Sequence, residues 1–290
     1  MKRLIMMATA LAVLLTTITA CGDIESQPTV LENSHIETVS SVPKEPINHE
    51  IIKINEPATV RGYESIESFT MYEYTLPIAS SPPMVALTFD DGPSRHTESI
   101  LDILERYDAR ATFFVIGNRL ATYQSTAERA ASLGNEIANH TYSHPRLTLK
   151  TDSQVISEIQ STSSAIESIT GVSPPIYRPP FGATDERIVN ISTELGYGIV
   201  KWTLDPVDWR ERDADIIYYR IMSQVENGSV ILLHDIHLTT AQAMERVIPS
   251  LIEQGFQLVT VSELLDYRYG GLDAGSVFGS NCAIRVWDEE

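Results

Sequence analysis

Met84-Val85-Ala86-Leu87-Thr88-Phe89-Asp90-Asp91-Gly92-Pro93 is the stretch on which the reading of this chain turns. The run from Met84 to Leu87 is apolar and short, and it reads as a buried strand. Gly92-Pro93 then breaks the chain into a turn. Two carboxylates are therefore held at the end of a strand. Neighbouring residues leave the backbone in different directions, so one carboxylate can bind a cation while the other stays free to move a proton. Asp and Gly are also ordinary turn residues, so the rest of the chain has to decide between these readings.

Downstream, strand and helix patterns alternate. Strands are expected at 84–87, 111–116, 136–139, 176–178, 197–204, 229–233 and 256–261. Helices are expected at 97–107, 119–133, 152–170, 184–195, 213–226 and 239–254, with one more starting at a capping Ser262. Alternating βα units argue for a parallel sheet covered by helices. Residues 83–268 hold about seven such units, short for an eight-fold barrel, so the expected fold is α/β, a distorted (β/α) barrel of about seven parallel strands.

The unusual polar residues fall just after strands. Asp90-Asp91, His140 with His144, Arg178, Asp208-Trp209 and His234-Asp235 would converge on one face, where parallel βα folds build their active sites. His140 and His144 are four residues apart, which on a helical turn would put both imidazoles on one side of a metal. An Asp from another strand end would complete a three-ligand N/O set with a position open for water. His237 reads as a helix start, and His96 as part of a solvated loop.

Composition bounds the rest. The chain has 290 residues, 43% hydrophobic and 21% charged, with a net charge of -18. No basic face is evident, so nucleic acid is not an expected partner. Lys2 and Arg3 precede an apolar run from Leu4 to about Leu15, and Ile18-Thr19-Ala20-Cys21 follows. This is a targeting segment too short to span a bilayer. It resembles a bacterial lipobox, which implies cleavage before Cys21 and a lipid anchor on its sulfur, with a secreted form as the alternative. Residues 21–60 read as a flexible tether and 61–82 as an N-terminal extension packing on the barrel. Fully extended, the stretch from Cys21 to the first strand reaches roughly 200 Å. Residues 269–290 read as a C-terminal appendage. With Cys21 lipidated, Cys282 stands alone and no internal disulfide is expected.

Five ordered stretches carry a family resemblance: Thr88-Phe89-Asp90-Asp91-Gly92-Pro93-Ser94, His140-Thr141-Tyr142-Ser143-His144, Arg178-Pro179-Pro180-Phe181-Gly182, Asp205-Pro206-Val207-Asp208-Trp209 and Leu232-Leu233-His234-Asp235. They resemble the motifs of the polysaccharide deacetylases, the NodB-homology proteins of carbohydrate esterase family 4. The resemblance implies metal-dependent removal of acetyl groups from polymeric amino sugars. It implies Asp91, His140 and His144 as metal ligands and Asp90 as general base. Arg178 and Asp208 would be the charged pair that orients that base. The Phe181 N–H would face the oxyanion, Trp209 and Leu232 would wall the acetyl pocket, and His234 would be the general acid. The family more often has Tyr at the Phe181 position, a change that a backbone role survives.

The expected ion is zinc, with cobalt or another divalent ion as alternatives. The expected substrate is N-acetylglucosamine in a cell-surface glycan, above all peptidoglycan, and the expected state is a monomer outside the membrane. Chitin oligomers and acetyl xylan are the alternative substrates. A metal-containing, glycan-binding surface lipoprotein is the non-enzyme alternative; it predicts loss of base or acid, and both Asp90 and His234 are present.

Overall fold

The structure, a computed structural model, describes residues 82–279. The leader, Cys21, the tether, residues 61–81 and Cys282 lie outside the described residues. In chain order the elements are β1 (Met84–Asp90), α1 (Thr97–Arg106), β2 (Thr112–Val115), α2 (Gly117–Leu120), α3 (Gln124–Ser132) and β3 (Glu136–Asn139). Next come α4 (Asp152–Thr170), β4 (Ile176–Tyr177), α5 (Glu186–Leu195), β5 (Gly198–Val200), α6 (Asp208–Glu211) and α7 (Ala214–Met222). The last are β6 (Val230–His234), α8 (Leu238–Glu253), β7 (Gln257–Leu258), α9 (Val261–Tyr269) and β8 (Val277–Phe278).

The strands form one parallel sheet in the order β6-β1-β2-β3-β4-β5-β8, with β7 paired to the first two residues of β1. A lone parallel bridge between Leu204 and Ile231 ties the chain just past β5 back to β6. The sheet therefore curls towards a barrel without closing completely. The expected strand at 197–204 is cut short at Val200 for this reason, because Thr203 and Leu204 leave their own strand and bond to Val230 and Leu232. β8 adds an eighth strand, which extends the sheet past residue 268.

β1 explains why the fold has two packed layers. Side chains alternate along a strand. Val85, Leu87 and Phe89 pack outward under α1 and α8, in one cluster with Ile100, Leu104, Met244 and Ile248. Ala86 faces the interior with Phe114, Val200 and Val230. Both faces are buried, which is why Met84–Leu87 shows no polar alternation. The interior face continues with Thr88 and Asp90, so two polar groups stand inside the barrel above an apolar floor.

Two helix starts differ from expectation. Thr260, not Ser262, caps α9, in a reciprocal capping box with Glu263. Ser262 instead donates to the half-buried Glu136 carboxylate at the start of β3. The helix expected at 119–133 is two helices, α2 and α3, with a break at Ala121–Tyr123. The first amides of α2, which have no acceptor within the helix, are taken by the next loop: Gly117 and Asn118 donate to the carbonyls of Thr141 and Tyr142, both at 3.0 Å.

Candidate active site

A cleft of about 510 Å³ opens at the C-terminal ends of the strands. Asp90, Asp91, His140, His144, Phe181, Trp209, Leu232 and His234 line it, so eight of the ten expected site residues meet there. Arg178 and Asp208 are fully buried behind it. Register sets the assembly. The pairing of β1 with β6 puts Asp90 beside His234, and the pairing of β3 with β4 at Asn139 and Tyr177 puts His140 beside Arg178.

Asp91, His140 and His144 offer three ligand atoms that all lie within 4.8 Å of one another. Asp91 Oδ1 is 3.2 Å from His144 Nε2 and 3.5 Å from His140 Nε2. That oxygen is buried and has no hydrogen-bond partner, a costly state unless a cation meets it. His140 Nδ1 lies 2.7 Å from the Arg178 carbonyl, so it donates there and leaves the Nε2 lone pair facing the cluster. Burial alone would raise the Asp91 pKa, but positive charge at His140 and His144 would hold it well below the usual carboxylate range, so this oxygen favours a cation beside it. Two nitrogens and one carboxylate oxygen make a donor set that fits a divalent metal.

The two imidazoles do not share a helical turn. They sit on an irregular loop, with Thr141 at φ 67° and His144 at φ 58°. Residues outside the motifs hold that loop. Asn139 accepts from the Thr141 N–H at 2.8 Å, and its amide nitrogen donates to Ile159 O and Ser163 Oγ. Glu158 accepts from the amides of Tyr142 and Ser143, each at 2.8 Å. Neither residue is visible as a site residue in the sequence, because each acts across the β3–α4 interface.

The charged pairs are arranged differently from what the resemblance implied. Arg178 does meet Asp90: Nη1 donates to Asp90 Oδ1 at 2.7 Å and to Thr88 Oγ1 at 2.8 Å. Its Nε and Nη2 donate to the carbonyls of Val200 and Lys201, and its guanidinium lies 4.0 Å over the Phe114 ring. Asp208 meets neither of them. Its Oδ1 is 2.8 Å from His234 Nδ1, while its Oδ2 accepts from the His234 N–H and from Thr240 Oγ1. Arg178 therefore orients Asp90, and Asp208 orients His234. Burial would lower the His234 pKa, but the bond to Asp208 and the nearby Asp90 and Asp91 raise it to about 9.

Residues to which the sequence analysis gave no role also line the cleft or stand near it. Trp202 and Asp205 line the cleft, and Asp205 accepts from the Val207 N–H at 2.7 Å and from the Trp209 side chain. His237 sits at the N-cap of α8 but makes no capping bond; it lines the cleft and faces Arg212. His96 stands at the N-cap of α1, partly exposed. Asp235 is buried under the Asp-Asp-Gly-Pro turn, where Thr97 donates to it at 2.5 Å and burial raises its pKa to about 7. A Cβ on Gly92 would overlap the Asp235 carboxylate. Gly92→Ala is thus expected to cost about 1–3 kcal/mol, and the melting temperature should fall by roughly 2–4 °C for each of them. An unchanged melting temperature would mean that the turn has room to spare.

Backbone strain concentrates here. Seven described residues other than glycine have a positive φ, and all but Asp108 are within two positions of a residue that lines the cleft. Val207, at φ 60°, is β-branched and pays most for that conformation.

The polysaccharide deacetylase family model matches residues 78–200, which hold the first three motifs. The peptidoglycan-N-acetylmuramic acid deacetylase PdaC of Bacillus subtilis is 40% identical over 186 residues, 64% of this chain but only 39% of PdaC. The chain thus spans about two fifths of that relative. A peptidoglycan-N-acetylglucosamine deacetylase of Bacillus cereus is 33% identical over 225 residues, 76% of this chain and 81% of the relative. The solved structure of PdaC superposes with a TM-score of 0.62 at 39% identity, covering 65% of this chain and 93% of that one. Motif order, sheet and the match along nearly the whole of a relative agree, and the chain belongs to the polysaccharide deacetylase family.

Proposed function

We propose that this protein is a metal-dependent hydrolase that removes N-acetyl groups from N-acetylglucosamine in a cell-surface glycan, peptidoglycan first, with release of acetate. One observation carries the reading: a three-residue cluster that could hold a metal ion, an Arg178-held carboxylate and an Asp208-held imidazole line or back one cleft. The names of the relatives support the polymer, since both the Bacillus subtilis and the Bacillus cereus proteins are named peptidoglycan deacetylases. We further propose the lipid anchor on Cys21 and a place outside the membrane. Among the described residues no helix is long and apolar enough to cross a bilayer.

Each residue has a defined task in this reading. A divalent cation held by Asp91, His140 and His144 would polarise the acetyl carbonyl and lower the pKa of water, nominally from 15.7 to about 7 in favourable zinc sites. Zinc suits the two-nitrogen, one-oxygen donor set. Asp90, held by the Arg178 guanidinium at 2.7 Å, takes the proton of the attacking water. The Phe181 amide, in left-handed backbone at φ 61°, donates to the developing oxyanion, a contribution of about 3 kcal/mol per donor. His234 is held by Asp208 through Nδ1, so Nε2–H remains to protonate the departing sugar nitrogen. Leu232 and Trp209 bound the acetyl methyl group.

The test is acetate release from N-acetylglucosamine oligomers, peptidoglycan and acetyl xylan, with the metal stripped and restored. Release from the amino sugars alone, lost with the metal, is expected. Cleavage of acetyl xylan alone would make the protein an esterase. Glycan binding without any release would leave only the glycan-binding, non-enzyme alternative. The pH profile gives a separate check. His234 must be protonated to act, so release should fall as pH rises towards about 9. Asp208→Asn removes the main group that raises this pKa and should move the alkaline limb to lower pH. A limb that stays in place in Asp208→Asn would sink the assignment of His234 as acid.

A further inference from the structure

The cleft contains one charged side chain for which the proposed reaction has no use. Arg212 is the only arginine or lysine among the described residues that line it. Its neighbours Arg210 and Arg220 both pair with the Glu211 carboxylate. Arg212 does not. Its Nε donates to the Trp209 carbonyl at 2.8 Å, and its Nη1 donates to His237 Nδ1 at 2.7 Å. Both acceptors are uncharged: one is a peptide oxygen, and burial and the Arg212 charge hold the His237 pKa below its ordinary value. A guanidinium has five N–H donors in a planar fork, and these two bonds fix the fork in place while using two of them.

The backbone holds Arg212 as firmly as the side-chain bonds do. The turn of helix from Asp208 to Glu211 is bracketed by two left-handed residues, Val207 at φ 60° and Arg212 at φ 51°. Its two ends carry Asp208, which holds His234, and Arg212, which holds His237, and the rings of those histidines lie 6.1 Å apart. The guanidinium is therefore one side chain removed from the proposed acid, on the side of the cleft where the sugar nitrogen departs.

We infer that Arg212 is a specificity residue that receives a carboxylate carried by the glycan next to the acetylated nitrogen. The inference rests on the deacetylase reading and narrows its substrate to a carboxylated amino-sugar polymer. Arg212 is placed to offset a carboxylate's charge in an otherwise acidic cleft. The chain carries -18, and Asp90, Asp91 and Asp205 line the cleft, so an anionic sugar would be repelled unless a fixed cation met it. A neutral polymer has no use for an uncompensated guanidinium at the rim. A carboxylate can come from an acid ether on the sugar ring or from a peptide attached to it. Either would form a two-pronged pair with the donors that remain.

The test compares the full chain with Arg212→Gln and Arg212→Lys, by acetate release and by equilibrium binding. Four probes are used: an N-acetylglucosamine tetramer, a peptide-free tetrasaccharide with acid ethers, the same tetrasaccharide with its carboxyls reduced to alcohols, and a peptide-bearing version. Arg212→Gln should weaken binding and raise KM about tenfold for the carboxylated sugar, the loss expected for one charge-assisted contact. The kcat and the values for the neutral tetramer and the reduced sugar should stay within about twofold, and Arg212→Lys should restore part of the loss. An effect confined to the peptide-bearing probe assigns the carboxylate to the peptide. Equal losses on carboxylated and reduced sugars would make Arg212 a prop for Trp209, and no loss on any probe would also overturn the inference. Wild type that binds the carboxylated sugar more tightly than the reduced one through Arg212, yet releases no acetate, would keep the inference and overturn the deacetylase reading.

Discussion

Asp90→Asn should lower acetate release by about 10²–10⁴-fold, the usual contribution of a positioned general base, without loss of the bound metal. The geometry isolates the base function. Asp90 is not the buried, unpartnered oxygen of the cluster; that is Asp91 Oδ1. The asparagine keeps a carbonyl oxygen where Asp90 Oδ1 accepts from Arg178, and the guanidinium keeps Thr88 and the carbonyls of Val200 and Lys201. The fold is therefore expected to survive. Acetate release, metal content and a melting curve on the same sample decide the matter. Retention of more than about a tenth of wild-type release would remove Asp90 from the role of base, by the same magnitude argument. Loss of metal along with activity would mean that Asp90 is a ligand.

The largest effect on stability is expected at Arg178. It is fully buried, and its guanidinium satisfies two carbonyls, a hydroxyl and a carboxylate. Arg178→Leu leaves Asp90 as an unpaired charge inside the barrel, a change that costs about 3–5 kcal/mol. For a domain of this size the melting temperature should fall by roughly 6–20 °C. The double variant Asp90→Asn with Arg178→Leu tests the cause. If the stranded charge is the main cost, removing it recovers part of the loss, and the two changes are non-additive. A double variant as unstable as the sum of its parts would place the cost in the lost carbonyl contacts and packing instead.

Much of this architecture was legible in the chain itself. The order of βα units, the place of each polar motif at a strand end and the parallel sheet follow from local pattern, because hydrophobic periodicity and turn residues act over a few positions. The unbroken run at Met84–Leu87 is apolar because both faces of β1 are buried, so burial wrote itself into composition. The residues that meet in the cleft could likewise be named in advance, since a parallel sheet carries its loops to one end.

Partnership was another matter. Asp208 pairs with His234 across 26 positions and Arg178 with Asp90 across 88, and only register and the curl of the sheet decide such meetings. The four-residue spacing of His140 and His144 suggested a helical turn, but Asn139 and Glu158 draw the segment into a loop by supplying acceptors for its amides. Thr260 rather than Ser262 caps α9 because Ser262 is taken by Glu136, 126 residues away. Arg212 had no motif to mark it and acquires its place from a strained turn and a histidine on another helix. The sequence by itself determined which groups reach the mouth of the barrel, through forces that act along the chain. Which group holds which was left to tertiary structure, because a hydrogen bond depends on where two distant backbones come to rest.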